Sequence, residues 1–117
     1  MQNYKDLNVW LKSHQLTLKI YREVVSFPKE ENYTLTSQIK RAAYSIPSNI
    51  AEGCGRNSNP DLARFLNISL GSANELEYFV LLAKDLDYLS SNQSEVLNKE
   101  VNEIKAMLIS LIQKVRA

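Results

Sequence analysis

Residues 57–65 read Asn57-Ser58-Asn59-Pro60-Asp61-Leu62-Ala63-Arg64-Phe65, and that order marks the start of a helix. A capping side chain comes first. Proline follows at the first helical position, where its missing N–H is not needed, and an acid then faces the positive end of the helix dipole. Beyond it, Leu62, Phe65, Ser69, Ala73, Leu76, Val80, Ala83 and Leu86 recur at steps of three and four. They form one stripe of a helix about seven turns long, expected over residues 60–89. Ser90-Ser91-Asn92-Gln93 breaks the pattern.

Working outward, the next stripe is Leu97, Val101, Ile104, Leu108, Leu111 and Val115, with Asn92 and Glu95 as a capping box; it predicts a helix over 92–116. Before the opening stretch, Leu35, Ile39, Ala42, Ile46, Ile50 and Gly53 predict a helix over 35–54. Asn32, Thr34 and Thr36 are its candidate caps, and Gly53 and Gly55 close it. Leu7, Leu11, His14, Leu18, Tyr21 and Val25 predict a first helix over 6–26, ended by Phe27-Pro28. No segment alternates with the two-residue period of a strand. Four helices with short links imply an all-α, antiparallel up-and-down four-helix bundle with left-handed packing, one domain over residues 1–117.

Composition agrees. Only 3 Gly and 3 Pro occur in 117 residues, too few for a turn-dense sandwich or a low-complexity chain. With 44% hydrophobic residues the chain buries roughly two-thirds of its unfolded surface. Val9, Leu16 and Ile20 in the first helix, with Leu70, Leu81 and Tyr88 in the third, lie off the main stripes. They either broaden the buried face or form an interface for self-association. Cys54 is the single cysteine, so no disulfide within the chain and no cysteine metal cluster is expected. The chain opens without a basic region leading into an apolar run, and no apolar run approaches the roughly 20 residues that span a bilayer. A cytoplasmic protein with no membrane partner is the expectation.

One proline breaks the propensity rules. Pro47 sits inside the second stripe, where it removes the donor to the Ala43 carbonyl at a cost of about 3 kcal/mol and is expected to kink the helix. At 100° per residue, Arg41, Ser45, Ser48, Asn49 and Glu52 form a polar ribbon beside the apolar stripe. Short polar side chains there can satisfy the freed carbonyl or bond a neighbouring helix, and Arg41 can offer its donor fork to Glu75, Glu77 or a phosphate. The ribbon therefore serves either helix register and assembly or ligand binding.

Catalytic chemistry finds no constellation. His14 is the only histidine, without a partner for acid–base work, so a packed, hydrogen-bonded residue is expected. No Glu-x-x-His repeat, phosphate loop or activated thiol is present. We therefore expect no enzyme, no metal and no cofactor. The formal charge of +1 is uninformative, yet residues 1–64 carry +3 and residues 65–117 carry −2. Lys40, Arg41, Arg56 and Arg64 concentrate around the second helix and the loop after it, and an oligomer would gather them into a ring suited to phosphates.

The stretches Leu7-Asn8-Val9-Trp10, Leu35 to Ala43, Ser45-Ile46-Pro47-Ser48-Asn49-Ile50-Ala51-Glu52-Gly53, Gly55-Arg56, Gly71-Ser72 and Glu75-Leu76-Glu77 resemble the four-helix bundle proteins encoded in intervening sequences of bacterial 23S ribosomal RNA genes. The resemblance runs from about Tyr4 to Leu111. It implies a homopentamer and kinship with the basic accessory proteins of diversity-generating retroelements, which associate with nucleic acid and a reverse transcriptase. Arg41, Ser45, Pro47, Asn49, Glu52, Gly53 and Arg56 are the signature. Cys54 stands where many relatives carry an aromatic residue, and the charge here is nearer neutral than in the retroelement proteins. The expected function is a non-enzymatic oligomer associated with RNA or DNA, RNA first, through a basic surface on helices one and two. The alternative is a structural or protein-interaction scaffold that binds no nucleic acid and recruits another protein.

Overall fold

The computed structural model describes residues 2–117 and holds four helices: α1 (Asn8–Glu23), α2 (Leu35–Cys54), α3 (Asn59–Asp85) and α4 (Ser91–Arg116). No strand occurs among the described residues. Cross-helix contacts give the antiparallel sense directly. Thr17 and Tyr21 of α1 meet Ala43 and Lys40 of α2; Arg41, Ser45 and Ile46 of α2 meet Glu75, Ser72 and Ser69 of α3. Lys12 and Lys19 of α1 meet Glu103 and Glu100 of α4, which closes the bundle. The molecule measures 43 × 24 × 19 Å, and its long axis is close to the ~40 Å length of a 27-residue helix such as α3.

The core runs through all four helices: Ile20, Ile39, Ile46, Ile50, Leu66, Leu76, Leu97, Ile104 and Leu108 are almost wholly buried. The stripes expected on α2 and α3 are those buried, except that Leu62 is half-buried and Leu86 is exposed. On α4, Ile112 replaces Leu111 and Val115 as the buried residue of the last turns. The first helix corrects the expectation more deeply. Val9, Leu16, Ile20 and Val24 face the core with Ser13 and Thr17, while Leu11, Leu18, Tyr21 and Val25 of the regular stripe lie in solvent. Two apolar stripes share α1, and close approach of α2 selects the one carrying small hydroxyl residues.

The helix ends differ from the expected bounds for local reasons. α1 is shorter than 6–26 because 3₁₀ turns at Tyr4–Asp6 and Val24–Ser26 flank it. α3 ends at Asp85 rather than 89. Asp87 takes φ 63° there, and its N–H and that of Tyr88 donate to Lys84 O and Ala83 O, a Schellman motif built without glycine. The cap of α3 is Ser58, whose Oγ accepts the Asp61 N–H at 3.3 Å, with Pro60 in the first turn. The capping box of α4 is Ser90 with Gln93, two residues earlier than Asn92 with Glu95.

Thr34 holds the cap position of α2 without capping it. Glu31 does so instead, accepting the Leu35 N–H at 3.3 Å and the Thr34 hydroxyl at 2.5 Å. The other oxygen of that carboxylate accepts Tyr88 O–H at 2.9 Å, tying the α1–α2 link to the α3–α4 link. The hydrogen bonds from Thr34, Tyr88 and Leu35 hold Glu31 below its ordinary value of 4.5.

Candidate nucleic-acid interface

α2 continues through Pro47, and side chains of both flanking helices supply what its backbone needs. Thr17 Oγ1 on α1 lies 3.1 Å from Ala43 O, the carbonyl left without its helical donor, and 2.8 Å from Ser13 O, so one hydroxyl proton serves both. Ser69 Oγ on α3 donates to Ile46 O at 2.9 Å. The polar ribbon lies along the α2–α3 seam. Ser45 Oγ and Ser72 Oγ are 2.8 Å apart, Asn49 Nδ2 donates to Ser45 O at 2.8 Å and Ser45 Oγ at 3.0 Å, and Arg41 Nη2 meets Glu75 Oε1 at 2.7 Å. Glu77, the other carboxylate named for Arg41, instead accepts from Lys105. Gly53 ends the seam, where a Cβ would stand 2.9 Å from Phe65 Cβ and 3.0 Å from Leu62 Cδ1.

The four candidate cations do not form one patch. Lys40 lies over the Tyr21 ring on the α1 side, 5.0 Å from its centroid, while Arg41 turns to α3. Arg56 lies fifteen residues further along the chain, at the other end of α2. There Arg56 and Arg64 share the Phe65 ring, their guanidinium carbons 4.8 and 4.5 Å from its centroid. Each also holds an acid, Glu52 at 3.1 Å and Asp61 at 3.3 Å. Asn57, Ser58 and Asn59 stand beside Arg56 around a shallow pocket of about 280 Å³ at the α3 amino end.

Part of the basic surface expected on helices one and two is answered within the bundle, because α4 sets Glu103 and Glu100 against Lys12 and Lys19 and α3 sets Glu75 against Arg41, while Arg22 and Lys40 have no acid partner among the described residues. Two of the candidate cations are presented together, in the Arg56–Phe65–Arg64 cluster at the α2–α3 turn. Phe65 is the member that sequence reasoning missed. Its place on the stripe puts it in the core, where it is 8% exposed, but two guanidiniums also lie over its ring.

Other candidates for chemistry are spent structurally. His14 stacks on Trp10, centroids 5.1 Å apart and planes 6° apart, rather than sitting hydrogen-bonded in the core. Cys54 is buried, and burial pushes its thiol up from its ordinary value, away from the reactive thiolate. No group of three or more His, Cys, Asp or Glu side chains able to hold a metal occurs among the described residues. No described helix is long and apolar enough to cross a membrane.

The sequence profile of the 23S rRNA-intervening sequence protein family matches residues 5–110. The chain belongs to this family. A solved relative supports the assignment through its fold: the crystal structure of a protein of unknown function from the S23 ribosomal protein family of Bacteroides thetaiotaomicron is 34% identical. It superimposes with a TM-score of 0.80 over 89% of this chain and 97% of that one. No curated protein matches the chain. In this intervening-sequence protein the signature residues have separate placements. Arg41, Ser45 and Asn49 join the α2–α3 network, Pro47 is accommodated by Thr17, Gly53 admits α3, and Glu52 holds Arg56.

Proposed function

We propose that the protein is a non-enzymatic, self-assembling bundle that contacts structured RNA through Arg56 and Arg64. The observation that carries this reading is the sharing of one ring, Phe65, by two guanidiniums beside a polar loop. Guanidiniums held over an aromatic ring are ordered, and their planar donor forks suit bidentate bonds to phosphate and stacking on unpaired bases. Their acids do not prevent this, because exposed ion pairs contribute only about 0.2–1 kcal/mol and a phosphate can displace a carboxylate. Self-assembly rests on the exposed stripe of α1 and the turn after it, with Leu11 at 45%, Leu18 at 42% and Val25 at 83% exposure. Five copies are what the family resemblance implies.

The second reading, a scaffold for protein contacts alone, is favoured by the pairing of Arg41, Arg56 and Arg64 with acids. Salt-titrated binding to a structured RNA separates the two. Arg56→Glu with Arg64→Glu should weaken binding by about tenfold or more and flatten its salt dependence, while Arg41→Gln changes it little. Undetectable binding by the wild type at low salt, or equal binding by the double variant, favours the scaffold.

A further inference from the structure

We propose that Asn57 is a site of spontaneous deamidation, and that the carboxylate it leaves beside Arg56 weakens the RNA contact of the α2–α3 turn. The chemistry stands on the loop itself; its consequence rests on the RNA reading above. Asn57 is the one asparagine of the chain followed by a small side chain, Ser58. The others precede a bulky side chain, a proline, or an N–H already bonded at or within a helix. Its neighbour Asn59 precedes Pro60, which has no N–H to attack with.

Ring closure needs a free backbone nitrogen, an accessible side-chain amide and a backbone able to turn one toward the other. Asn57 and Ser58 are exposed and lie between α2 and α3, outside both helical ladders. The chain is tied on either side of them, where the Arg56 N–H donates to Gly53 O and Ser58 Oγ accepts the Asp61 N–H. Between those ties, neither the Ser58 N–H nor the Asn57 side chain has a hydrogen-bond partner among the described residues. Ser58 is extended, with φ −139° and ψ 154°, so its N–H is not committed to α3.

In the first step the Ser58 nitrogen attacks Asn57 Cγ. An N–C bond forms, the Cγ–Nδ2 bond breaks, and Nδ2 leaves as ammonia with the proton of the Ser58 nitrogen, giving a cyclic imide. Water then opens the imide at either carbonyl and leaves aspartate or its β-linked isomer at position 57; no oxidant or cofactor enters. Arg56 and the positive amino end of α3 favour both the charge that develops on the attacking nitrogen and the carboxylate that remains. Asn57 lines the same shallow pocket as Arg56. The new acid joins Glu52 in competing with phosphate for that guanidinium, which shares the Phe65 ring with Arg64. The contact therefore weakens with the age of the molecule.

Ageing the purified protein in warm, mildly alkaline buffer tests this, with peptide mass mapping and isoaspartate detection run beside binding to a structured RNA. The wild type should convert at Asn57 ahead of every other asparagine and lose affinity in step, with helicity by circular dichroism unchanged. Asn57→Asp made directly should bind about two- to fivefold more weakly than fresh wild type, the worth of one exposed ion pair, with a salt slope shallower by about one. Ser58→Thr keeps the capping hydroxyl and adds a branch at Cβ next to the attacking nitrogen, so it should convert and lose affinity more slowly. An intact Asn57 after ageing, or earlier conversion at another asparagine, overturns the site. Conversion without loss of affinity overturns its effect on binding, and leaves the RNA reading standing if Arg56→Glu with Arg64→Glu still weakens the complex. No RNA binding by fresh wild type overturns that reading and the effect together, while conversion at Asn57 would still establish the modification.

Discussion

At the scale of single residues, the helix-internal Pro47 depends on one hydroxyl. Thr17→Val is nearly isosteric but leaves Ala43 O, buried between helices, without a donor, so it should cost about 1–3 kcal/mol of unfolding free energy. In a Pro47→Ala background residue 47 regains its N–H, and the same substitution should cost clearly less. Chemical denaturation of the four proteins reads the coupling, and additivity within error would show that Thr17 does not serve the proline gap. Thr36 is the contrast: among the described residues its Oγ1 is buried without a partner. Thr36→Val should therefore be neutral or stabilising by up to about 1 kcal/mol in the same assay. Sequence located the freed carbonyl at Ala43 and expected short polar side chains to answer it. It did not reveal that the donor comes from α1, because a side chain 26 positions away becomes a neighbour only after packing. Arg41 shows the same limit: two carboxylates were within plausible reach, and only the rotation of α3 selected Glu75.

Among the elements, α2 and α3 approach closely at Gly53. Gly53→Ala gains up to about 1 kcal/mol of helix propensity, yet the new Cβ meets Phe65 Cβ at 2.9 Å. Net destabilisation of about 1–3 kcal/mol is expected by denaturation, as for other overpacked sites. The end of α3 gives a change of opposite sign. Asp87 adopts a left-handed conformation at φ 63°, so Asp87→Gly should raise stability by about 0.5–1 kcal/mol; a loss would mean that its side chain does more than end the helix. Four helices were legible because Pro60, Ser90 and the sparse glycines punctuate long stripes. The end of α3 was not, since Asp rather than Gly makes its Schellman turn. The face of α1 was misassigned for a different reason. It carries two apolar stripes, and periodicity measures regularity without indicating which stripe meets the other three helices.

For the whole molecule, charge organises both stability and association. Glu103, bonded to Lys12, and Glu31, bonded to Thr34, Tyr88 and Leu35, are both held below their ordinary value of 4.5. The unfolded chain therefore binds protons more readily at these sites. The stability they contribute is complete above about pH 4.5 and is lost as pH falls through their lower folded values. Melting temperature should drop over that acidic window, and Glu31→Gln with Glu103→Gln should flatten the drop; an unchanged profile would remove these groups from the account. The opposed charges of the two chain halves were visible in sequence, but not that α4 would pair Lys12 and Lys19 of α1, or that Arg56 and Arg64 would gather over one ring at the α2–α3 turn. The most direct test of an assembly that gathers these clusters on RNA is the salt dependence of binding, compared between the wild type and Leu18→Glu with Tyr21→Glu. The two arginines of a single copy give a slope of about −1.4 to −1.8 in log K against log salt, and several joined copies give a steeper one. A steeper slope and tighter binding for the wild type is the expected result; equal slopes and affinities for the assembled and monomeric forms would contradict it.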